Sequence, residues 1–298
     1  MSTNSQTGNP ITAKLLIDAA AAIAESPVWD YARGELVWVD IPRGTINRWR
    51  PEGGTLAAIE LGGEVGCVVL RSKGGYLAAV RDRVLAIDSL DRPSLLMLVP
   101  GIGSTSRLND GKCDPAGRFW VGSMAYDERS PLGALFAIGP SGTITTVLSG
   151  VTVSNGLDWS IDGTALYYVD SATRRVDALD FDMATGQVAN RRPLIQACDL
   201  DAEPDGLTVD AEDHIWVAYW GGWRVRRYTP AGILNQEVFV PASQVTSCTF
   251  GGPDLSDLFI TTASLGLDEA HRAEQPLAGG LFVARPGPRG RPAASFPG

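Results

Sequence analysis

Along the chain, turns rich in Asp and Gly alternate with short runs of β-branched and aromatic residues. The copies are Asp30–Asp40 (DYARGELVWVD), Arg71–Val80 (RSKGGYLAAV) and Asp114–Ser123 (DPAGRFWVGS), followed by Ser160–Asp170 (SIDGTALYYVD), Asp210–Tyr219 (DAEDHIWVAY) and Pro253–Thr262 (PDLSDLFITT). With Leu36, Tyr76, Phe119, Leu166, Ile215 and Leu258 as equivalent points, the steps are 40, 43, 47, 49 and 43 residues. A period of this size with several short strands per copy is the mark of a β-propeller. Further strands follow within a copy, at Thr45–Arg50, Ala134–Ile138 and Val225–Tyr228, each closed by Gly- and Pro-rich turns. No dozen-residue stretch combines a 3.6 period with helix caps. The pattern predicts an all-β, six-bladed propeller of four-stranded blades around a central channel. A strand near Ala13–Asp18 is expected to complete the last blade, and a β-sandwich would not produce the period. The expected organisation is a disordered segment over 1–12, the propeller over 13–285 and a flexible tail over 286–298.

The register of the repeat singles out one position per copy. Glu25, Asn109, Asn155 and Asp205 stand ten or eleven residues before the equivalent points, and the other two copies carry Gly66 and Cys248 there. Equivalent positions of successive blades are related by rotation about the channel, so these four oxygen-bearing side chains are expected to converge on one mouth. Taken singly, Asn155-Gly156 and Asp205-Gly206 read as tight turns. Shared register across four copies favours convergence. Two carboxylates with amide oxygens suit one divalent cation of the Ca²⁺, Mg²⁺ or Mn²⁺ kind.

Composition narrows the chemistry. The formal charge of −9 and pI near 4.8 argue against nucleic-acid binding. No apolar run approaches a membrane span, and the longest candidate leader, Leu15–Ala24, is short and broken by Asp18. A cytoplasmic monomer without a membrane partner is the expectation. Cys67, Cys113, Cys198 and Cys248 are too scattered for a zinc site or a disulfide framework and read as buried free thiols. With only His214 and His271, a three-histidine zinc site is impossible, and no nucleophile elbow, zincin or P-loop motif occurs. His214 reads as a surface or packing residue, and His271 lies in the long loop Ser264–Gly280. Trp38, Trp120 and Trp216 read as blade packing, whereas Trp220 and Trp223 sit in a turn where sugar stacking is conceivable.

The stretches AESPVWD, SRLNDGKCDPAGRFWVGSM, VSNGLDWSIDGTALYYVDS, EPDGLTVDAEDHIWVA and TSCTFGGPDLSDLFIT resemble the SMP-30/gluconolactonase (regucalcin-like) family from about residue 14 to residue 285. The resemblance implies a six-bladed propeller with one divalent cation, Ca²⁺ first, with Zn²⁺, Mn²⁺, Mg²⁺ or Fe²⁺ as alternatives. It implies hydrolysis of a sugar lactone in carbohydrate metabolism. On this basis Glu25, Asn155 and Asp205 hold the metal, and Arg107, Asn109 and Asp127 contact the sugar. Asp127 stands where the family often has the longer glutamate. Asp205 is the expected base for the attacking water, the cation acting as Lewis acid. An arylesterase or phosphotriesterase on the same scaffold, or a calcium-binding propeller without activity, are the alternatives.

Overall fold

The computed structural model describes residues 11–55 and 57–298. Six antiparallel sheets are arranged in a ring. Blade 1 comprises Ala24–Asp30, Glu35–Asp40, Thr45–Arg50 and the short outer strands Gly54–Thr55 and Ile59–Glu60. Blades 2, 3 and 4 begin with Val65–Leu70, Ser106–Cys113 and Ser154–Trp159, each followed outward by three more strands. Blade 5 begins with Glu203–Val209 and gains Ile11–Thr12 as a parallel fifth strand on Leu234–Phe239. Blade 6 is built from Val245–Gly251, Asp257–Thr262 and Leu281–Ala284, and its outer strand is the N-terminal Lys14–Ile17. That pairing closes the ring with the expected N-terminal strand. The first strand of each blade touches the first strand of the next, and Val245–Gly251 meets Ala24–Asp30.

The repeat folds this way because its turn aspartate organises the following strand. Asp114 is fully buried and accepts the backbone N–H groups of Ala116 and Arg118 and the indole N–H of Trp120 at 3.0 Å. Asp210 does the same for Glu212, His214 and Trp216. The turn is thereby locked to the tryptophan six residues later.

Six apolar clusters, one between each pair of adjacent blades, make up the core. Trp120 meets Trp159 edge-on across blades 3 and 4, and Trp216 meets Phe250 across blades 5 and 6. Such pairs add about 1 kcal/mol beyond their burial. Cys67, Cys113 and Cys248 are buried free thiols as expected, but Cys198 is exposed on the loop after blade 4.

Residues 1–10 of the expected N-terminal segment lie outside the described residues. Residues 286–298, expected as a flexible tail, lie instead as a strap across one end of the channel. Gly290 N donates to Leu255 O, and Ala211 N donates to Arg289 O. Arg291 donates to Trp159 O, while Phe296 pairs with Arg71 and is buried between blades 2 and 3. The Gly- and Pro-rich strap has no strand periodicity, and it is held by contacts to five blades that lie far away in sequence. Among the described residues no helix is long and apolar enough to cross a membrane.

Candidate functional site

The innermost strand of every blade is interrupted by a β-bulge at the same level of the channel. A bulge inserts unpaired residues that twist the strand and re-aim side chains. The interruptions fall at Ser26-Pro27, Gly66, Asn109-Asp110, Asn155-Gly156, Asp205-Gly206 and Thr246. These dipeptides therefore lie within strands and not in turns between them. In the sixth blade the position belongs to Thr246 and not to Cys248. Thr246 spends its hydroxyl on Ala24 O and the hydroxyl of Thr261.

The bulges divide the channel. Above them lies a cavity of ≈ 390 Å³ into which Glu25, Arg107, Asn109, Asp127, Asn155 and Asp205 all project, so the structure brings the six expected site residues together. Below them a second cavity of ≈ 240 Å³, lined by Asp110, Lys112, Asp158 and Cys248, is capped by Arg291–Ala294 of the strap. Neighbouring residues of one bulge thus face opposite compartments, Asn109 above and Asp110 below.

Glycine is required where bulges meet. A Cβ on Gly66 would lie 2.6 Å from the carbonyl oxygens of both Leu108 and Asn109. One on Gly156 would lie 2.5 Å from Leu207 N and 2.6 Å from Asp205 O. Backbones of adjacent blades approach too closely there for any side chain.

A directed chain of hydrogen bonds sets the polar groups of the upper cavity. Arg107 donates through Nη1 to Asn109 Oδ1 at 2.6 Å, and Asn109 Nδ2 donates to Asn155 Oδ1 at 2.9 Å and to Ser154 O at 2.8 Å. Asn155 Nδ2 donates to Ser171 Oγ at 2.8 Å, and Ser171 donates in turn to Pro204 O at 2.7 Å. Ser171, in the short turn Ser171–Thr173, was not singled out because the register marks the start of each inner strand and not the turn after the second. Its role comes from the turn after the second strand of blade 4 reaching blade 5.

Glu25 and Asp205 are buried and neither forms an ion pair among the described residues. Glu25 Oε2 accepts Ser26 N, whereas its Oε1 is buried with no partner. Burial, followed by the nearby Asp205 and Asp110 carboxylates, pushes the Glu25 carboxyl well above its usual range. Burial likewise raises Asp205, helped by Asp110, Glu203 and Glu128. Burial pulls the Arg107 guanidinium down. A partnerless buried carboxylate oxygen beside a second buried carboxylate without an ion-pair partner fits a hard divalent cation, and Asn155 Oδ1, which already accepts Asn109 Nδ2, keeps a second lone pair for it. Among the described residues no three His, Cys, Asp or Glu side chains form a metal-binding group, so the fit rests on Glu25, Asp205 and the Asn155 amide.

Asp127 lines the cavity, but its carboxylate is engaged by its own loop. Oδ1 accepts Arg129 N and Ser130 N, and Oδ2 accepts the Ser130 hydroxyl. These bonds, the Ser130 hydroxyl foremost, hold it down at about 2. Glu128, Glu203, Met124 and Trp220 also line the cavity and were not read from the register. Trp223 and both histidines do not line it. His214 leans on Glu212 O, and His271 sits with Asp268 on the exposed helix Glu269–Glu274.

The pattern of the SMP-30/Gluconolactonase/LRE-like region matches residues 23–264. Regucalcin of Oryctolagus cuniculus is 40% identical over 283 residues, covering 92% of this chain and 94% of its own. Regucalcin of Xenopus laevis is 38% identical over 279 residues, covering 91% and 93%. The crystal structure of a calcium-binding regucalcin from Agrobacterium tumefaciens superposes with a TM-score of 0.92 at 26% identity, covering 96% of this chain and 98% of that one. The family pattern begins two residues before Glu25 and runs beyond blade 6's second strand, so it spans every bulge that builds the upper cavity. Matched over most of its length by the family pattern and by these relatives, the chain belongs to the SMP-30/gluconolactonase/LRE-like family.

Proposed function

We propose that the upper cavity hydrolyses a sugar lactone, an aldono-1,4- or 1,5-lactone, to the aldonic acid. The observation that carries this reading is the partnerless Glu25 Oε1 sharing one cavity with Asp205, Asn155 and the hydroxyl-matching pair Arg107 and Asn109. Glu25, Asp205 and Asn155 would hold a divalent cation, Ca²⁺ first, which when bound would supply Lewis acidity. Asp205 takes a proton from the attacking water as its oxygen bonds to the carbonyl carbon. The ring C–O bond then breaks, and the proton passes from Asp205 to the departing ring oxygen. Arg107 and Asn109 orient the sugar and offset negative charge building on the carbonyl oxygen. Membership of a family named in part for gluconolactonase supports the substrate class.

The test is proton release from glucono-, xylono-, arabinono- and galactonolactone, corrected for spontaneous opening, with metal-stripped protein and protein refilled with each divalent ion. Activity restored by a cation and lowered at least about a hundredfold by Asp205→Asn is the expected result. Hydrolysis of aryl esters or phosphotriesters alone would overturn the lactone assignment. Cation binding with no hydrolysis would overturn the enzymatic one.

A further inference from the structure

We propose that Glu128, and not its neighbour Asp127, is the acidic side chain that grips substrate hydroxyls at the rim of the cavity, as a specificity-determining residue. The inference rests on the lactone reading and deepens it. A polyhydroxy ring offers several O–H donors, and a site that distinguishes it from a bare ring needs an acceptor with a free lone pair. Asp127 has little to offer: both of its oxygens are committed to the N–H groups and hydroxyl of Arg129 and Ser130. Glu128 lines the same cavity, and among the described residues its carboxylate enters no hydrogen bond and no ion pair.

The loop delivers Glu128 to that place. Glu128 has φ +55°, a left-handed backbone that side-chain-bearing residues rarely adopt. Its N–H bonds to Ala125 O, and the Asp127 carboxylate clamps the two residues that follow it. The reversal puts consecutive side chains to different uses, with Asp127 folded into the loop and Glu128 left over the opening. Glu128 shares the cavity lining with Arg107 and Asp205, the guanidinium and the carboxylate used in the proposed reaction, and its charge acts on both. Among the described residues Glu203 is the other unpaired carboxylate of the rim, two residues before Asp205 on the first strand of blade 5. Arg107 as donor and Glu128 as acceptor would bracket a vicinal pair of hydroxyls, while Asp127 acts as a positioning residue for the loop.

The test uses the calcium-loaded full chain with two rings of equal size, xylono-1,4-lactone and the unsubstituted γ-butyrolactone. Binding of the non-hydrolysable alditol arabinitol is followed by calorimetry. Glu128→Ala, at an exposed position where folding is not at stake, is expected to lower kcat/KM for the xylonolactone about tenfold, chiefly through KM, as loss of a bond to a charged acceptor would. Activity on γ-butyrolactone stays within about twofold, and arabinitol binding weakens in step. Asp127→Ala, which frees the loop, is expected to lower both lactones together. Equal losses on the two rings for Glu128→Ala, no loss on either, or a loss confined to the hydroxylated ring for Asp127→Ala would each overturn the assignment. A wild-type chain that opens no lactone defeats the lactone reading alone. Arabinitol then decides the present one: binding weakened by Glu128→Ala sustains it, whereas unchanged or absent binding rejects it.

Discussion

Asn109 donates through Nδ2 to Oδ1 of Asn155 at 2.9 Å, tying the bulge of blade 3 to the bulge of blade 4. The bond fixes both amides: Asn109 must present its oxygen to Arg107, and Asn155 must present its nitrogen to Ser171. The Asn155 oxygen that would face a cation is therefore oriented from blade 5 by way of Ser171. Replacing Ser171 with Ala leaves Asn155 Nδ2 and Pro204 O without their partner. We expect a loss of about 2 kcal/mol in stability and a fall of about tenfold or more in cation affinity, read by thermal unfolding and by metal titration. An affinity equal to wild type would show that Asn155 needs no such support.

Glu25 and Asp205 repel each other in a buried cavity where neither has a cationic partner. A cation that binds only the folded chain must therefore raise the unfolding temperature. At a concentration one hundred times its Kd the gain is about 2.7 kcal/mol. Glu25→Gln keeps the side chain's size and removes its charge, and we expect most of the cation-dependent shift to vanish while the metal-free protein unfolds no earlier than wild type. Differential scanning calorimetry with and without Ca²⁺ makes the comparison.

Gly66 has no side chain because blade 3 leaves no room for one. Gly66→Ala pushes a methyl group against two backbone carbonyls that cannot rotate away. We expect destabilisation of about 3 kcal/mol, measured by urea unfolding. A substitution within about 0.5 kcal/mol of wild type would mean that blades 2 and 3 can move apart at the channel wall.

The strap is held at both ends of its path. Phe296 is buried among Cys67, Val69, Leu77 and Phe119, and Phe296→Ala is expected to cost about 3 kcal/mol. Asp158 anchors the middle, paired with Lys112 at 3.1 Å and near Arg291 at 3.6 Å. Burial would raise its carboxyl, but Lys112 and then Arg291, with N–H groups of Trp159 and Val209, outweigh burial and hold it below its ordinary value. A carboxyl depressed in the folded state contributes stability above its unfolded pKa of about 3.9 and loses it as pH falls through the folded value. Asp158→Asn should therefore destabilise the protein at neutral pH and flatten its stability profile below about pH 4, where wild type is already losing this contribution. Parallel profiles for wild type and variant across that range would count against the assignment.

The sequence by itself determined the ring. In blades 3 and 5 a turn aspartate, Asp114 or Asp210, and its tryptophan lie six residues apart and are joined by a local hydrogen bond. Two of the six copies carry this pair, and all six repeat the turn and strand at an interval of 40 to 49 residues, so a six-bladed closure and the rotation that gathers Glu25, Asn109, Asn155 and Asp205 were both legible. The bulge falls two residues before Cys248, at Thr246, and one residue after Glu25, at Ser26, because a slip of one or two residues leaves the period almost unchanged.

Tertiary structure decided what depends on contacts between distant segments. The Asn-Gly and Asp-Gly pairs read equally well as turns, and only the approach of neighbouring blades makes them bulges. Ser171 reaches the site from a turn outside the repeat, and Asp127 is drawn into its loop by Ser130, which no periodicity records. The strap carries neither strand pattern nor helix pattern; its place is set by Arg291 and Phe296 finding partners more than a hundred residues away. Repetition is a local property and can be read along the chain, whereas a hydrogen bond between blades exists only once the ring has closed.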